Sequence, residues 1–299
     1  MKNKSEKRGV MKKIAVITGA DSGLGREYTR LIVKESDVDE IWALAKTPAR
    51  LQRLVQDFGD RIVPVEIDLT QLDALADFHR RLSLEKPEIR WLINNAGIGK
   101  FGPFEKLEAL EAAWIVDLNC RAVVEMTWNC LPYMLAGSRI VNTASQAAFQ
   151  PLPYFNVYAA SKAFIDRFSL ALAVELKPRG IAVTSVCPCW MRTPFITKAQ
   201  TSAKPDVTRL FPITDPSPVA YLALADSKKG RTRSVYGTLT RLSILGAKLL
   251  PVGIVMAVWL IQQGLSGIPA FPGRKSQNHA DGEQASRLPA LTLDDKAAD

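Results

Sequence analysis

The chain is poor in imidazole and thiol. Its 299 residues hold two histidines, His79 and His279, and four cysteines, Cys120, Cys130, Cys187 and Cys189. No Cys-x-x-Cys pair occurs, and no cysteine or histidine group has metal-ligand spacing. A structural zinc and a Ser-His-Asp triad are therefore not expected. His79, inside the amphipathic stretch DFHRR, reads as a helix-surface residue. So few cysteines, with no secretion signal, fit a reducing cytoplasmic compartment. An unbroken apolar run of the ~20 residues a membrane span wants is also missing. The longest candidate, LLPVGIVMAVWLIQQGL (249–265), is shorter and interrupted by Pro251 and Gly253.

Acid is scarce in two places. Residues 1–13 carry Lys2, Lys4, Lys7, Arg8, Lys12 and Lys13 against Glu6 alone. Residues 228–248 carry Lys228, Lys229, Arg231, Arg233, Arg241 and Lys248 with no acid. These runs supply much of the net charge of +9. They read as solvated surface, or as attraction for phosphates or an anionic membrane. No nucleic-acid partner is expected, because no basic-aromatic interleaving or binding motif accompanies them.

What is present is an ordinary globular balance, 47% hydrophobic and 23% charged. Apolar β-branched runs at 13–18, 40–45, 61–67, 89–95, 139–145 and 181–187 predict buried strands. Helix-period segments separate them, at 23–33, 49–58, 72–84, 106–117, 119–135 and 158–176. Largely apolar strands alternating with helices imply a parallel sheet covered on both faces. That is a doubly wound, Rossmann-like α/β fold, whose ligands bind beyond the carboxyl ends of the strands. A further helix is predicted at 217–227, with Ser217 as N-cap and Pro218 in its first turn. The chain divides into a basic leader (1–10), a single catalytic domain (11–240), an apolar C-terminal helical extension (241–273) and a polar tail expected to be disordered (274–299).

Two motifs carry chemistry. The first strand runs into TGADSGLGRE (18–27), where glycines permit close approach of a pyrophosphate and the following helix offers free N–H groups to it. In YFNVYAASK (154–162), Tyr158 and Lys162 share one helix face. A cation beside a phenol favours its ionised form, although the same spacing is common on solvated helix surfaces. Six pieces then stand in order: TGxxxGxG, NNAG (94–97), Asn119, Ser145, Tyr158 with Lys162, and PCWMRTP (188–194). Tyr158 and Lys162 follow Ser145 by thirteen and seventeen residues. In this order and spacing the chain resembles the short-chain dehydrogenase/reductase family over roughly residues 11–240.

The resemblance implies NAD(P)-dependent interconversion of a carbonyl and an alcohol. Tyr158 would exchange the proton, Ser145 would hydrogen-bond the reacting oxygen, and Lys162 would lower the phenol pKa and bond the nicotinamide ribose. Asn119 would hold a water linking Lys162 to solvent. Thr18, Gly19, Ser22, Gly23, Leu24 and Gly25 would line the pyrophosphate. Asp68 would meet the adenine, Asn95, Ala96 and Gly97 the adenosine ribose, and Pro188 and Thr193 the nicotinamide end. Cys189 stands where the family has glycine, which puts the backbone of that loop in question; Asp21 reads as a helix-start acid. The resemblance also implies a homodimer or homotetramer through the long helices.

The second strand ends in ALAKTPAR, with no acid to bond a ribose 2′-hydroxyl. Lys46 there suits a 2′-phosphate, so NADP(H) is expected, with NAD possible; a plain surface lysine is the other reading. Phe149, Pro153, Tyr154, Phe155, Trp190, Met191 and Phe195 form either an apolar substrate wall or core packing. As a wall they suit a bulky apolar ketone, with a hydroxysteroid first. Residues 196–212 suit a lid. The 249–265 run is expected to close the pocket or an oligomer contact, and a peripheral membrane contact is the other reading. Two further readings remain: a membrane-associated acyl-chain ketoreductase, and a non-catalytic NADP(H)-sensing protein. The intact serine, tyrosine and lysine weigh against the sensor.

Overall fold

The computed structural model describes residues 11–200 and 207–265. The basic leader, the polar tail and the middle of the proposed lid lie outside the described residues. Strands and helices alternate as β1 (Lys13–Thr18), α1 (Gly23–Ile32), β2 (Glu40–Ala45), α2 (Pro48–Phe58), β3 (Ile62–Glu66), α3 (Leu72–Glu85), β4 (Glu88–Asn94), α4 (Ala109–Val116), α5 (Ala122–Cys130), β5 (Arg139–Thr143), α6 (Asn156–Leu176) and β6 (Ala182–Val186). Beyond them come β7 (Trp190–Met191), α7 (Pro194–Ala199), β8 (Ile213–Thr214), α8 (Pro216–Lys228), β9 (Arg233–Ser234), α9 (Thr238–Leu249) and α10 (Val252–Gln263).

Seven strands form one parallel sheet in the order β3-β2-β1-β4-β5-β6-β9. The order reverses between β1 and β4, and that switch point opens a crevice at the carboxyl ends of the strands. Five consecutive residues are buried in both β1 and β2, because helices cover both faces of the sheet. One face packs on Tyr28 and Ile32 of α1, Leu51 and Leu54 of α2, and Val219 and Ala223 of α8. The other packs on Phe78 and Leu82 of α3, Met126 of α5, and Leu172 and Leu176 of α6. Pro64, which has no N–H for a ladder, sits in the edge strand β3.

Helix α6 explains why its tyrosine and lysine are not a solvated pair. Tyr158, Lys162, Ile165, Ser169, Leu172 and Leu176 are all buried, and their spacing places them on one stripe. Asp166, on the same helix, takes Arg233 of β9 at 2.9 and 2.6 Å and Ser185 of β6 at 2.9 Å. Burial pushes the Asp166 carboxyl up, but Arg233 and Ser185 outweigh it and hold it below the usual range. The reacting helix is thereby pinned to the sheet.

The start of α8 differs from expectation. α8 begins two residues early, with Asp215 at the N-cap and Pro216 at its first position, so Ser217 lies inside the helix. There Ser217 accepts a hydrogen bond from Arg30. The apolar C-terminal run, read from the sequence as interrupted, is two helices, α9 and α10. Pro251 is the break, whereas Gly246 and Gly253 lie within helices.

Candidate active site

Strand β1 ends at Thr18, and the chain turns at Gly19 and Gly23 with φ of 62° and 52°, where a side chain is strained. The Thr18 hydroxyl accepts from the backbone N–H of Asn95 (2.9 Å) and Ala96 (3.0 Å). The Asn95 amide donates back to the carbonyls of Thr18 (3.2 Å) and Gly19 (3.3 Å). The turn after β1 is thus sewn to the turn after β4. Gly25 is demanded by contact, since a Cβ there would lie 2.0 Å from the Gly19 carbonyl oxygen. Helix α1 starts here with no acid in its first turn and no side-chain cap on its N–H groups. That end suits a pyrophosphate. Asp21 precedes the helix and faces Arg50 of α2 at 3.6 Å.

Beyond β5, Ser145 caps a short 3-10 turn over Gln146–Phe149, its hydroxyl accepting from Ala147 N–H at 3.1 Å. Tyr158 lies in the first turn of α6, stacked on Phe155 at 4.3 Å between ring centroids. Gly99 leaves room for that stack: a Cβ would meet Phe155 at 2.8 Å and Tyr158 at 3.0 Å. Lys162 donates to the Thr143 carbonyl at 2.7 Å, and its Nζ lies 5.6 Å from the Tyr158 ring centroid. Asn119 sits in a π-helical turn, Asp117–Arg121, fully buried. It accepts from Ile98 N–H and donates to Ile98 C=O and Ser161 Oγ, each at 2.9 Å. Asn119 and Lys162 converge on Gly97, where a Cβ would lie 3.1 Å and 3.3 Å from them.

Burial dominates the proton affinities. It pushes the Tyr158 phenol up to about 12, with only a hydrogen bond from Ser145 opposing it. It pushes Lys162 down to about 8. The expected lowering of the phenol by its lysine is therefore not what the protein alone provides. Desolvation of both groups outweighs it. At neutral pH the phenol keeps its proton and the lysine keeps its charge.

These groups share one cavity of about 880 Å³. Of the residues read from sequence, Gly19, Ser22, Gly23, Leu24, Asn95, Ala96, Gly97, Ser145, Tyr158, Lys162, Pro188 and Thr193 line it. Thr18, Gly25, Lys46, Asp68 and Asn119 do not. Thr18 is buried behind the turn, Gly25 is a packing glycine, and Asn119 supports Gly97 and Ile98 from the core. Lys46 and Asp68 pair with each other at 2.8 Å. Burial works to raise the Asp68 carboxyl, but Lys46 and Thr70 outweigh it and hold it low.

The seven apolar residues divide. Trp190, Met191 and Phe195 face the cavity, whereas Pro153 and Tyr154 do not line it and Phe155 is buried behind Tyr158, packing on Phe101 and Trp190. Phe149 lies under two cations, Arg233 and Lys248, at 5.3 and 5.2 Å. Cys189 carries a side chain without left-handed backbone, since Lys86 and Tyr154 alone among the described non-glycine residues have positive φ. Both ends of the 196–212 segment border the cavity, through Ile196, Arg209, Phe211 and Pro212.

The polar part of the wall was not singled out from the sequence, whereas the 249–265 run was expected over the pocket or in an oligomer contact. Gln146 and Gln150 line the cavity, and Gln146 donates to Ser243 of α9 at 2.8 Å. Leu250, Val255 and Trp259 close the far side, and the Trp259 indole donates to the Pro153 carbonyl at 3.0 Å. Arg50 was also passed over, although ALAKTPAR contains it. Its place one helical turn into α2 is the only signal it gives.

A glycine turn at the switch point of a parallel sheet, sharing its cavity with a buried protonated phenol, is the layout of an oxidoreductase that works with a dinucleotide. The chain belongs to the short-chain dehydrogenase family, whose model, described as short chain dehydrogenase, matches residues 13–204. It is 29% identical to a very-long-chain 3-oxoacyl-CoA reductase of Anas platyrhynchos, over 81% of this chain and 77% of that one. It is 32% identical to 17-beta-hydroxysteroid dehydrogenase type 3 of Mus musculus, over 60% of each. Its fold matches a short-chain dehydrogenase from Sphingobium yanoikuyae in complex with NADPH, with a TM-score of 0.65 and 25% identity over 91% of this chain and 99% of that one.

Proposed function

We propose that this enzyme interconverts a bulky apolar ketone and its secondary alcohol with NADP(H), through Ser145, Tyr158 and Lys162. The observation that carries the reading is the single cavity. Its inner end is the glycine turn, its middle holds the phenol and the ammonium, and its outer end is aromatic and aliphatic. Bound nicotinamide would supply the hydride in reduction and accept it in oxidation. As the carbonyl carbon gains the hydride, its oxygen takes the Tyr158 proton while accepting a hydrogen bond from Ser145. Lys162, still cationic, stabilises the negative charge left on the phenol oxygen. Asn119 holds Ile98 and Ser161 in place around it.

For the nucleotide, the turn after β2 ends without an acid at Ala45 and Lys46. Two cations follow β2: Arg50 meets Asp21 of the glycine turn, and Lys46 pairs with Asp68 beyond β3. Both cations are largely exposed, so exchanging a carboxylate partner for a 2′-phosphate costs little. Solved neighbours are bound to NADPH, NADP+, NAD or NADH, so the preference rests on these two cations. A wild-type enzyme that turns over faster with NADH than NADPH would overturn it.

The substrate class follows from the outer wall. Trp190, Phe195, Leu250 and Trp259 favour a wide ring system, a hydroxysteroid or related ring ketone. A long acyl ketone is the second reading, favoured by the overlap with the 3-oxoacyl-CoA reductase. Following NADPH absorbance across ketosteroids, ring ketones and acyl ketones separates them. In Tyr158→Phe, nucleotide binding should persist while turnover falls by about 10²–10⁴. Retained turnover would remove the phenol from the mechanism, and turnover of none of the three classes would remove the substrate reading. Exposed Trp114 of α4, Trp128 of α5 and Phe164 of α6 fit a homodimer or homotetramer through those helices. Sedimentation velocity checks it, and a monomer at micromolar concentration would exclude it.

A further inference from the structure

The outer face of the α9–α10 pair is apolar and open to solvent. On α9, Leu242, Leu245 and Leu249 are exposed, and their spacing places them on one side of the helix. On α10, Ile254, Val258 and Ile261 repeat the arrangement. Val258 and Ile261 also border the cavity, so its mouth adjoins this face. Arg241 and Lys248, seven residues apart, run along one edge of the leucine stripe. Neither has a carboxylate partner among the described residues. Arg241 donates to the Val235 carbonyl at 3.1 Å, and Lys248 stands over Phe149. No aspartate or glutamate occurs anywhere from 228 to 265.

We propose that this face seats on an anionic lipid surface, and that the cavity receives its apolar substrate from that surface. An exposed apolar stripe edged by cations is the pattern of a helix that lies in a membrane interface. Among the described residues no helix is long and apolar enough to cross a membrane, so the contact is peripheral. The competing occupant is a second copy of the chain. Charge weighs against it, because a two-fold contact would bring both copies of Arg241 and Lys248 together with no acid in 228–265 to meet them. The inference deepens the apolar-substrate reading, yet lipid binding is measured without any turnover, so the two can fail separately.

The test is co-sedimentation of the full chain with phosphatidylcholine vesicles, with and without phosphatidylserine. The wild type should pellet with the serine-lipid vesicles only. Leu242→Ser/Leu245→Ser/Leu249→Ser and, separately, Arg241→Gln/Lys248→Gln should each reduce pelleting about tenfold or more. Circular dichroism and NADPH oxidation with a water-soluble ketone should match wild type in both variants, which shows that they fold. A wild type that stays in the supernatant with both vesicle types overturns the proposal. So do variants that pellet like wild type, and so does a concentration-dependent dimer that the triple leucine variant abolishes. If vesicles bind but no ketone is reduced, the substrate reading fails and the docking stands.

Discussion

The two ends of the cavity are held in different ways. At the nucleotide end, the strand-end turns are joined by hydrogen bonds in which the backbone is always one partner. Thr18 and Asn95 lock the two strand-end turns together, a methyl group at Gly25 would collide with the Gly19 carbonyl, and one at Gly97 would crowd Asn119 and Lys162. At the substrate end, α9 and α10 lean over the mouth through side chains that touch mainly other apolar side chains. Many of their outward residues are exposed, and the polar contacts that tie them to the rest run to loops rather than to the sheet: Gln146 to Ser243, Trp259 to Pro153, Arg241 to Val235, and Gln262 and Gln263 to the backbone of 208–211. The first end tolerates almost no change of shape. The second can be recut without disturbing the sheet, which is where substrate preference can diverge within one fold.

The largest expected effect breaks the rigid end. Gly25→Ala places a methyl 2.0 Å from the Gly19 carbonyl oxygen and 2.6 Å from the Asn95 amide, neither of which can retreat without unpicking the turn. Stability should fall by at least about 3 kcal/mol, with nucleotide binding lost, as read by denaturant unfolding and fluorescence titration with NADPH. The matching cut at the soft end is Trp259→Ala. It removes a buried indole and its bond to Pro153 and should cost about 3 kcal/mol. Nucleotide affinity should be unchanged and KM for a bulky ketone raised. If NADPH affinity fell as well, the two ends would not be mechanically separate.

Between the ends sits Lys162, whose buried ammonium is held near 8. Below that pH it is charged; above it the phenol loses its cationic neighbour. kcat/KM for ketone reduction should therefore fall above pH 8, approaching tenfold per pH unit, while Tyr158, pushed up to about 12, stays protonated throughout. Stability runs the other way. Folding lowers the lysine from its ordinary 10.5, so between pH 8 and 10.5 the unfolded chain holds more protons and stability rises with pH. Below pH 8 the penalty is complete, up to about 3 kcal/mol. Lys162→Met should raise the Tm at pH 7 and abolish the alkaline limb together with most turnover. A limb that survives in Lys162→Met belongs to another group.

The same contrast explains what the sequence shows of itself. The strands, the glycine turn and the tyrosine–lysine pair were legible because each rests on a local rule: continuous burial, a positive φ, or a fixed helical spacing. Lys46 and Asp68 were legible only as types. Their 2.8 Å pairing depends on how the turns after β2 and β3 approach each other, which neither segment encodes alone. Ser217 misled because Asp215 and Pro216, just upstream, make an equally good helix start. The outer wall was least legible. Phe155 and Phe195 carry the same ring, yet one is core and the other faces the cavity, a matter of which way a loop turns rather than of residue type.

The smallest expected effect tests the soft end most sharply. Gly246 lies inside α9 and borders the cavity, and a Cβ there would meet nothing within 4 Å. A glycine in a helix interior destabilises by about 0.5–1 kcal/mol relative to alanine, since the unfolded chain gains more freedom from it. Gly246→Ala should therefore stabilise the protein by that amount, the opposite sign from Gly25→Ala, with NADPH affinity unchanged. KM for small ketones should also hold, while the largest ring ketones would feel one added methyl at the wall. A loss of stability instead would mean that α9 packs closer to its surroundings than its open flank shows. The two glycines would then obey one rule, and the division of the cavity into a fixed end and an adaptable end would have to be abandoned.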